Sequence, residues 1–348
     1  MTTMKAAVFY EHGGLDVLKL AADLPIPEPG RGQVRLRMHA AALNRLDLWV
    51  REGWKGLELK LPHITCSDGA GVVDALGEGV TSVAVGDRVG INPTIIPDDQ
   101  LLAYGSEDDV PKIGILGEDA PGVAAEYVVL PARNLIRLPD HISFAQAAAA
   151  GLVYVTAWHS LITRGALKAG ESVLIIGAGG GVNSASIQIA KHAGATVYVV
   201  GSNAEKCAQA AALGADYTIN REEEESWAKA LFKMTSRQGV DIVVDNVGAA
   251  TLYDSIRSLR RNGRVLIVGN TSGPQVQIDT RFLFAKQVSL IGSSMGPTRD
   301  FRRVMELIFS GALKPVIGRE LPLADVREAH RLLEEGSVFG KIVLNIAG

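Results

Sequence analysis

Two textures of apolar spacing divide this chain. Between Val34 and Leu43 (VRLRMHAAAL), Val34, Leu36, Met38 and Ala40 alternate with Arg35, Arg37 and His39, the period-two pattern of a half-buried antiparallel strand. KAAVFY, GAGVVDAL, DRVGI and AEYVVLP are further short strands parted by Pro and Gly, so residues 1–150 read as a small β-barrel or sandwich. From about Ser143 the texture changes. SVLIIG, TVYVV, DYTIN, VDIVVD, GRVLIVG and VSLIGS are strand-like runs linked by helical spacing, which predicts an α/β fold with a doubly wound parallel sheet over residues 151–297. The tail, residues 298–348, reads as a helix from Arg299 to Phe309, a short strand at Pro315 to Gly318, a helix from Asp325 to Glu335 and a last strand, KIVLNI. It is expected to return to the N-terminal domain.

The stretch SVLIIGAGGGVN (Ser172 to Asn183) is the most informative. Val173, Leu174, Ile175 and Ile176 suit a strand buried on both faces, and Gly177 to Gly181 are small enough for backbone N–H groups to approach a pyrophosphate closely. Val182, Ile187, Ile189, Ala190 and Ala193 then mark a helix ended by Gly194, with an N-terminus able to hold the anion. A second strand (Thr196 to Val200) and a second helix (Ala204 to Leu213, closed by Gly214) complete one βαβ unit, which favours dinucleotide binding over a bare structural turn. At the end of that second strand a free ribose 2′-hydroxyl wants a carboxylate, whereas a 2′-phosphate wants hydroxyl and cationic partners. Gly201 stands there, with Ser202, Asn203 and Lys206 close behind and Glu205 expected to face solvent, so NADP(H) is favoured over NAD(H).

Composition narrows the class. With 348 residues, 47% hydrophobic and 21% charged, the chain is long enough for two globular domains and unlike a disordered one. A net charge of −3 gives no broad attraction to nucleic acid or anionic lipid, and neither is expected as a partner. The dense charge run Arg221 to Glu225 reads as a solvated helix start. No apolar run approaches the roughly twenty residues of a membrane span, and the N-terminus reads as a strand rather than a signal peptide, so a cytoplasmic location is expected. Two cysteines, Cys66 and Cys207, leave no disulfide framework.

Several motifs then agree in order: GEGVTSVAVGDRVGIN (Gly77 to Asn92), AAAAGLVYVTAW, ALGAD, DNVG and the closing GKIVL. In these the chain resembles the medium-chain dehydrogenase/reductase superfamily, which holds zinc alcohol dehydrogenases and zinc-free quinone oxidoreductases, over essentially its full length. The resemblance implies a GroES-like β-rich catalytic domain ahead of a Rossmann domain. In zinc members a Cys begins the segment that here reads NRLDLW, a His-Glu pair stands where CSDGAG occurs, and a second Cys lies in AAAAGLVYVT. This chain has Asn44, Ser67 with Asp68, and Leu152 at those places, and of these only Asp68 suits Zn²⁺. The cysteine-rich lobe of zinc members corresponds to PTIIPDDQLLAYGSEDDVPKIGILG, which contains no Cys. Neither zinc is expected, and the lobe should be held by Leu101, Leu102, Tyr104, Ile113 and Leu116, or else be mobile. His63 and Cys66 offer only two donors of the three or four a site needs; His63 reads as a loop residue and Cys66 as a small buried side chain.

Without a Lewis acid, the resemblance points to NADPH-dependent hydride transfer to a small molecule that spreads the incoming charge, a quinone or an α,β-unsaturated carbonyl. The alternatives are an alcohol or aldehyde dehydrogenase using residual metal or side-chain acid catalysis, and an NADPH-binding protein without turnover. By family position Asn44 is the catalytic candidate, its amide N–H donating to a developing oxyanion. Asp47 is a second candidate or a structural hydrogen-bond acceptor, and Ser67 a proton donor or a filler of the vacated ligand position. Trp49, Trp54 and Tyr127 either line an aromatic pocket or simply pack. For the cofactor, the resemblance implies Thr156 on the nicotinamide side, Ala178, Gly180, Gly181 and Val182 in the pyrophosphate turn, and Asn246, Gly248, Gly269 and Asn270 along the strand ends, with Ser293, Ser294 and Lys341 as further candidates. Asn183 replaces the third glycine of the turn, so either the helix is displaced or the Asn side chain caps it. Relatives pair through the sheet edge, here VSLIGS, which makes a homodimer or homotetramer the expectation.

Overall fold

The computed structural model describes residues 2–346 and divides into two units. In the first, strands β1 (Thr3–Phe9), β2 (Lys19–Pro25) and β3 (Gln33–Ala42) lead to helix α1 (Arg45–Glu52), and then come β4 (His63–Ile64), β5 (Asp68–Leu76) and β6 (Arg88–Ile91). The lobe carries β7 (Thr94–Ile95), α2 (Asp98–Tyr104) and β8 (Gly114–Ile115), before β9 (Tyr127–Pro131), β10 (Leu135–Arg137) and α3 (Phe144–Trp158). Strand β3 is the spine of this unit, paired with both β5 and β9. Its alternation has a direct cause: Val34, Leu36, Met38 and Ala40 enter the core, and Arg37 on the other face is exposed.

The second unit, Tyr154–Met295, alternates β11 (Ser172–Ile176), α4 (Gly181–His192), β12 (Thr196–Gly201), α5 (Ala204–Ala212), β13 (Tyr217–Asn220), α6 (Trp227–Met234), β14 (Val240–Asp245), α7 (Leu252–Arg257), β15 (Leu259–Ile267), α8 (Arg281–Lys286) and β16 (Ser289–Gly292). All six strands are parallel, in the order β13-β12-β11-β14-β15-β16, so the sheet changes winding direction between β11 and β14. Every residue of β14 is buried, including two aspartates. Asp241 accepts from Ser172 N and Oγ, and Asp245 from Val247 N, Gly248 N, Thr251 Oγ1 and Ser255 Oγ, so neither carboxylate lacks partners.

The tail rejoins the first unit through α9 (Thr298–Phe309), β17 (Ile317–Pro322), α10 (Val326–Glu335) and β18 (Lys341–Asn345), with β18 pairing to β3. Strand β17 begins later than the expected Pro315 because its pairing with β18 runs from Ile317 to Pro322. The charge run Arg221 to Glu225 is a turn and not a helix start. Asn220 accepts from Glu222 N there, a local bond that competes with helix, and α6 starts only after Ser226. His63 lies in β4, not a loop, with its ring Nε2 3.0 Å from Gly117 O.

The lobe differs most from its expectation. Leu102 is 88% exposed and Tyr104 48%, while Leu116 is buried. Polar ties hold the segment as well: Glu107 accepts from Thr298 Oγ1 at 2.8 Å and from Thr298 N, Asp108 pairs with Arg299, and Thr94 Oγ1 donates to Gly296 O at 3.1 Å. These carboxylates sit at the N-terminus of α9, where the helix dipole favours negative charge. No helix among the described residues is long and apolar enough to cross a membrane.

Candidate active site

Strand register brings three polar side chains to one end of the first unit. Ala42 on β3 stands opposite Val343 on β18 and opposite Asp68 on β5, so Lys341, Asn44 and Asp68 lie side by side although they are far apart in the chain. The Lys341 ammonium donates to Asn44 Oδ1 and, at 3.0 Å, to Asp68 Oδ2. Asn44 Nδ2 donates to the same Asp68 Oδ2 at 2.9 Å, and Leu152 N donates to Asp68 Oδ1 at 2.6 Å. All three side chains are buried, Lys341 at 4% exposure. A lone buried lysine would cost several kcal/mol; its partners hold it there. A Cβ at Gly151 would collide with Asp68 Oδ1, so the close approach of α3 to the carboxylate requires glycine.

Asp47 sits beside this cluster in α1. Its Oδ2 accepts from Asn44 N at 2.7 Å and its Oδ1 from Cys66 N at 3.0 Å, which is the work of a structural acceptor at a helix start. Burial raises its carboxyl to about 6, against the pull of the Asn44 N–H, Lys341 and the Cys66 N–H. Burial likewise pushes the Cys66 thiol well up, helped by Asp47, so Cys66 is a protonated core side chain. Ser67 is fully buried and its Oγ has no hydrogen-bond partner among the described residues. Farther along α1, Arg51 Nη1 lies 3.4 Å from His330 Nδ1 of α10 and pairs with Glu334, while the His330 Nε2 has no partner among the described residues. Burial, and then the Arg51 charge, lower His330 to about 3. Tyr127 lies under the Arg35 guanidinium, 5.8 Å away, and Trp54 is exposed.

These residues do not fit the zinc that zinc members of the family hold at the positions of Asn44, Ser67 with Asp68, and Leu152. Tetrahedral zinc wants thiolate, imidazole or carboxylate donors. Only Asp68 is one, and both its oxygens already accept hydrogen bonds. No group of three or more His, Cys, Asp or Glu able to hold a metal occurs among the described residues.

The second unit fits a dinucleotide. Gly177 takes φ +98°, and α4 starts at Gly180 without a side-chain cap, leaving the N–H groups of its first turn for an anion. A cleft of about 570 Å³ is lined by Gly248, Gly269, Asn270, Gly273, Ser293 and Ser294, among others. Gly248 holds φ +87°, and a Cβ there would lie 2.7 Å from Gly273 O. Thr156 connects to this wall by relay: its carbonyl accepts from Ser160 Oγ at 2.7 Å, and Ser160 Oγ in turn accepts from the Ser293 hydroxyl at 2.8 Å.

The remaining candidates are placed differently. Ala178, Gly180, Gly181 and Val182 form the turn but do not line the cleft. Asn183 does not cap the helix; its Nδ2 donates to Ile176 O, and its Oδ1 accepts from Asn246 Nδ2. At the end of β12, Asn203 Oδ1 caps α5 by accepting from Lys206 N at 2.9 Å, which engages the atom expected near the ribose. Gly201 must be glycine, because a Cβ there would run into Cys207 Sγ. Lys341, expected among the cofactor residues, belongs to the first unit and is held by Asn44 and Asp68. Sequence reasoning missed Gly151, whose only signal is a small residue within an apolar helix. It also missed Asp245, signalled by an acid closing an apolar strand.

Known proteins agree with this geometry. An alcohol dehydrogenase GroES-like domain model matches residues 30–140, and a zinc-binding dehydrogenase model matches residues 181–310. The quinone oxidoreductase of Homo sapiens is 31% identical, over 98% of this chain and 97% of its own. A zinc-type alcohol dehydrogenase-like protein of Schizosaccharomyces pombe is 31% identical, over 99% of each chain. A solved structure described as an NAD-dependent alcohol dehydrogenase has a TM-score of 0.93 and 43% identity, covering 99% of this chain and 100% of that one. A GroES-like unit joined to a doubly wound nucleotide unit defines an oxidoreductase. Within that class the chain belongs to the medium-chain dehydrogenase/reductase superfamily, in its quinone oxidoreductase-like branch.

Proposed function

We propose that the protein reduces quinones or α,β-unsaturated carbonyls by hydride transfer from NADPH, without a metal ion. The observation that carries this reading is the buried Asn44–Asp68–Lys341 cluster. At the positions where zinc members place metal ligands, it offers one carboxylate already matched by an ammonium. A saturated carbonyl accepting hydride concentrates charge on one oxygen and rewards a Lewis acid, whereas a conjugated acceptor spreads that charge and can be served by hydrogen-bond donors. With Asn44 Oδ1 held by Lys341 and one Nδ2–H on Asp68, the second N–H is the donor to the substrate oxygen. The Lys341 ammonium adds positive charge behind it, and the proton that completes the reduction comes from water. Bound reduced nicotinamide supplies the hydride.

The choice of NADPH is supported by the end of β12, where Gly201 can carry no carboxylate and Ser202 and Lys206 follow. The 43% identity to a structure described as an NAD-dependent alcohol dehydrogenase favours a second reading, an NAD-linked alcohol or aldehyde oxidoreductase. The unpaired edge of the sheet at β16 supports a homodimer, checked by sedimentation. The deciding experiment combines metal analysis of purified protein with NADPH- and NADH-oxidation assays on a benzoquinone, an alkenal and a saturated aldehyde. Metal-free turnover of the first two with NADPH is the expected result. Aldehyde turnover with stoichiometric zinc would establish the second reading, and cofactor binding without turnover of any acceptor would leave a binding protein.

A further inference from the structure

We propose that Asn183 is a positioning residue for the dinucleotide, a latch holding the phosphate turn and the neighbouring strand end in one geometry before any ligand arrives. This rests on the reading of the cleft as a dinucleotide site. Nucleotides bind at the crevice where a doubly wound sheet reverses its winding, here between β11 and β14. In this chain one carboxamide joins the segments that leave those two strands. Asn183, in the first turn of α4, donates Nδ2 to the carbonyl of Ile176, the last residue of β11, at 3.0 Å. Its Oδ1 accepts from Nδ2 of Asn246, the first residue after β14, at 2.7 Å.

Both ends of the latch reach parts of the site. A Cβ on Gly177 would lie 2.6 Å from Asn183 Nδ2, so the amide packs on the bare α-carbon of the turn. On the other side the Asn246 carbonyl accepts from Thr271 N at 3.3 Å, and a Cβ on Gly269 would come within 3.1 Å of that carbonyl. Gly269 and Asn270 line the cleft. A contiguous path therefore runs from the turn through Asn183 and Asn246 to the cleft wall. Asn183 is buried, so water does not replace these bonds readily. A glycine at 183 would leave the Ile176 carbonyl and the Asn246 amide without these partners. The site's two halves would then have to be aligned by the ligand itself, at the expense of affinity.

The test uses the full chain as wild type, Asn183→Gly, Asn246→Ala and the double variant. Whichever of NADPH and NADH the wild type binds more tightly is titrated, and amide hydrogen exchange is followed in the ligand-free proteins. Each single variant should raise Kd about tenfold, and KM for the cofactor in step, while for Asn183→Gly kcat at saturation stays within twofold. The double variant should be no weaker than Asn183→Gly alone, since that variant already removes the link to Asn246. Exchange should quicken at residues 177–182 and 246–248 in each. An unchanged Kd, additive losses in the double variant, or unchanged exchange overturns the latch. A wild type that binds neither dinucleotide overturns the reading of the cleft, and the latch with it.

Discussion

In the first unit the polar cluster is made of side chains that bond one another: the ammonium of Lys341, the carboxamide of Asn44 and the carboxylate of Asp68, all buried. In the second unit the cleft wall includes glycines at 248 and 269, where a Cβ would come within 2.7 Å of Gly273 O and 3.1 Å of Asn246 O. The comparison separates two ways of building a site. A cluster of charges is fragile to the loss of a partner, because the one left behind remains buried. A backbone cradle is fragile to the gain of an atom, because its shape is its function.

The largest effect expected from this contrast is on stability. Lys341→Met strands the Asp68 carboxylate and should cost about 3–5 kcal/mol in urea unfolding. Adding Asp68→Asn should restore most of that loss; a neutral single variant would show that the cluster is not held by charge. The first unit should also respond to pH through His330. Its folded value, about 3, lies below the ordinary 6.5, so its contribution is complete above pH 6.5 and is lost as pH falls. Between pH 6.5 and 4 that amounts to about 3 kcal/mol. Asp47, raised to about 6, acts in reverse, its contribution being present at low pH and lost as pH rises through 6. Comparing His330→Gln with wild type isolates the first slope; identical pH profiles would remove His330 as its source.

Smaller effects test function in each unit. Asn44→Ala should lower turnover about a hundredfold while cofactor affinity stays within twofold, as for loss of one donor to a developing oxyanion. Equal losses in both would make Asn44 structural. Gly248→Ala places a side chain at φ +87° and against Gly273 O, so cofactor Kd should rise about tenfold, with kcat at saturation unchanged. If affinity survives, the cleft is not shaped by its backbone.

How much of this was legible in the chain depends on how far apart the interacting residues lie. The alternation of β3, the buried runs of β11 and β14 and the glycine turn after β11 are local patterns, and the structure repeats them. The lobe is legible only in part, because an apolar residue need not be inside: Leu116 packs as its type suggests, yet Leu102 and Tyr104 are exposed and Glu107 and Asp108 add polar ties to the end of α9. Asn183 was noticed as a departure, but its two partners come from β11 and from the far side of β14, and no spacing within the turn names them. The GKIVL motif marks Lys341 as a candidate, but its hydrogen-bond partners Asn44 and Asp68 lie 297 and 273 residues away, beyond the reach of any motif.

The amino-acid order alone settled that there is a doubly wound nucleotide unit and that the positions of the zinc ligands hold Asn44, Ser67 with Asp68, and Leu152, since both are matters of residue type and near-neighbour spacing. What occupies that place instead was decided by the fold. Only the register of β18 on β3 and of β3 on β5 sets an ammonium against Asn44 and Asp68. Pairing between distant strands is fixed by the burial of whole faces, and no single residue announces it.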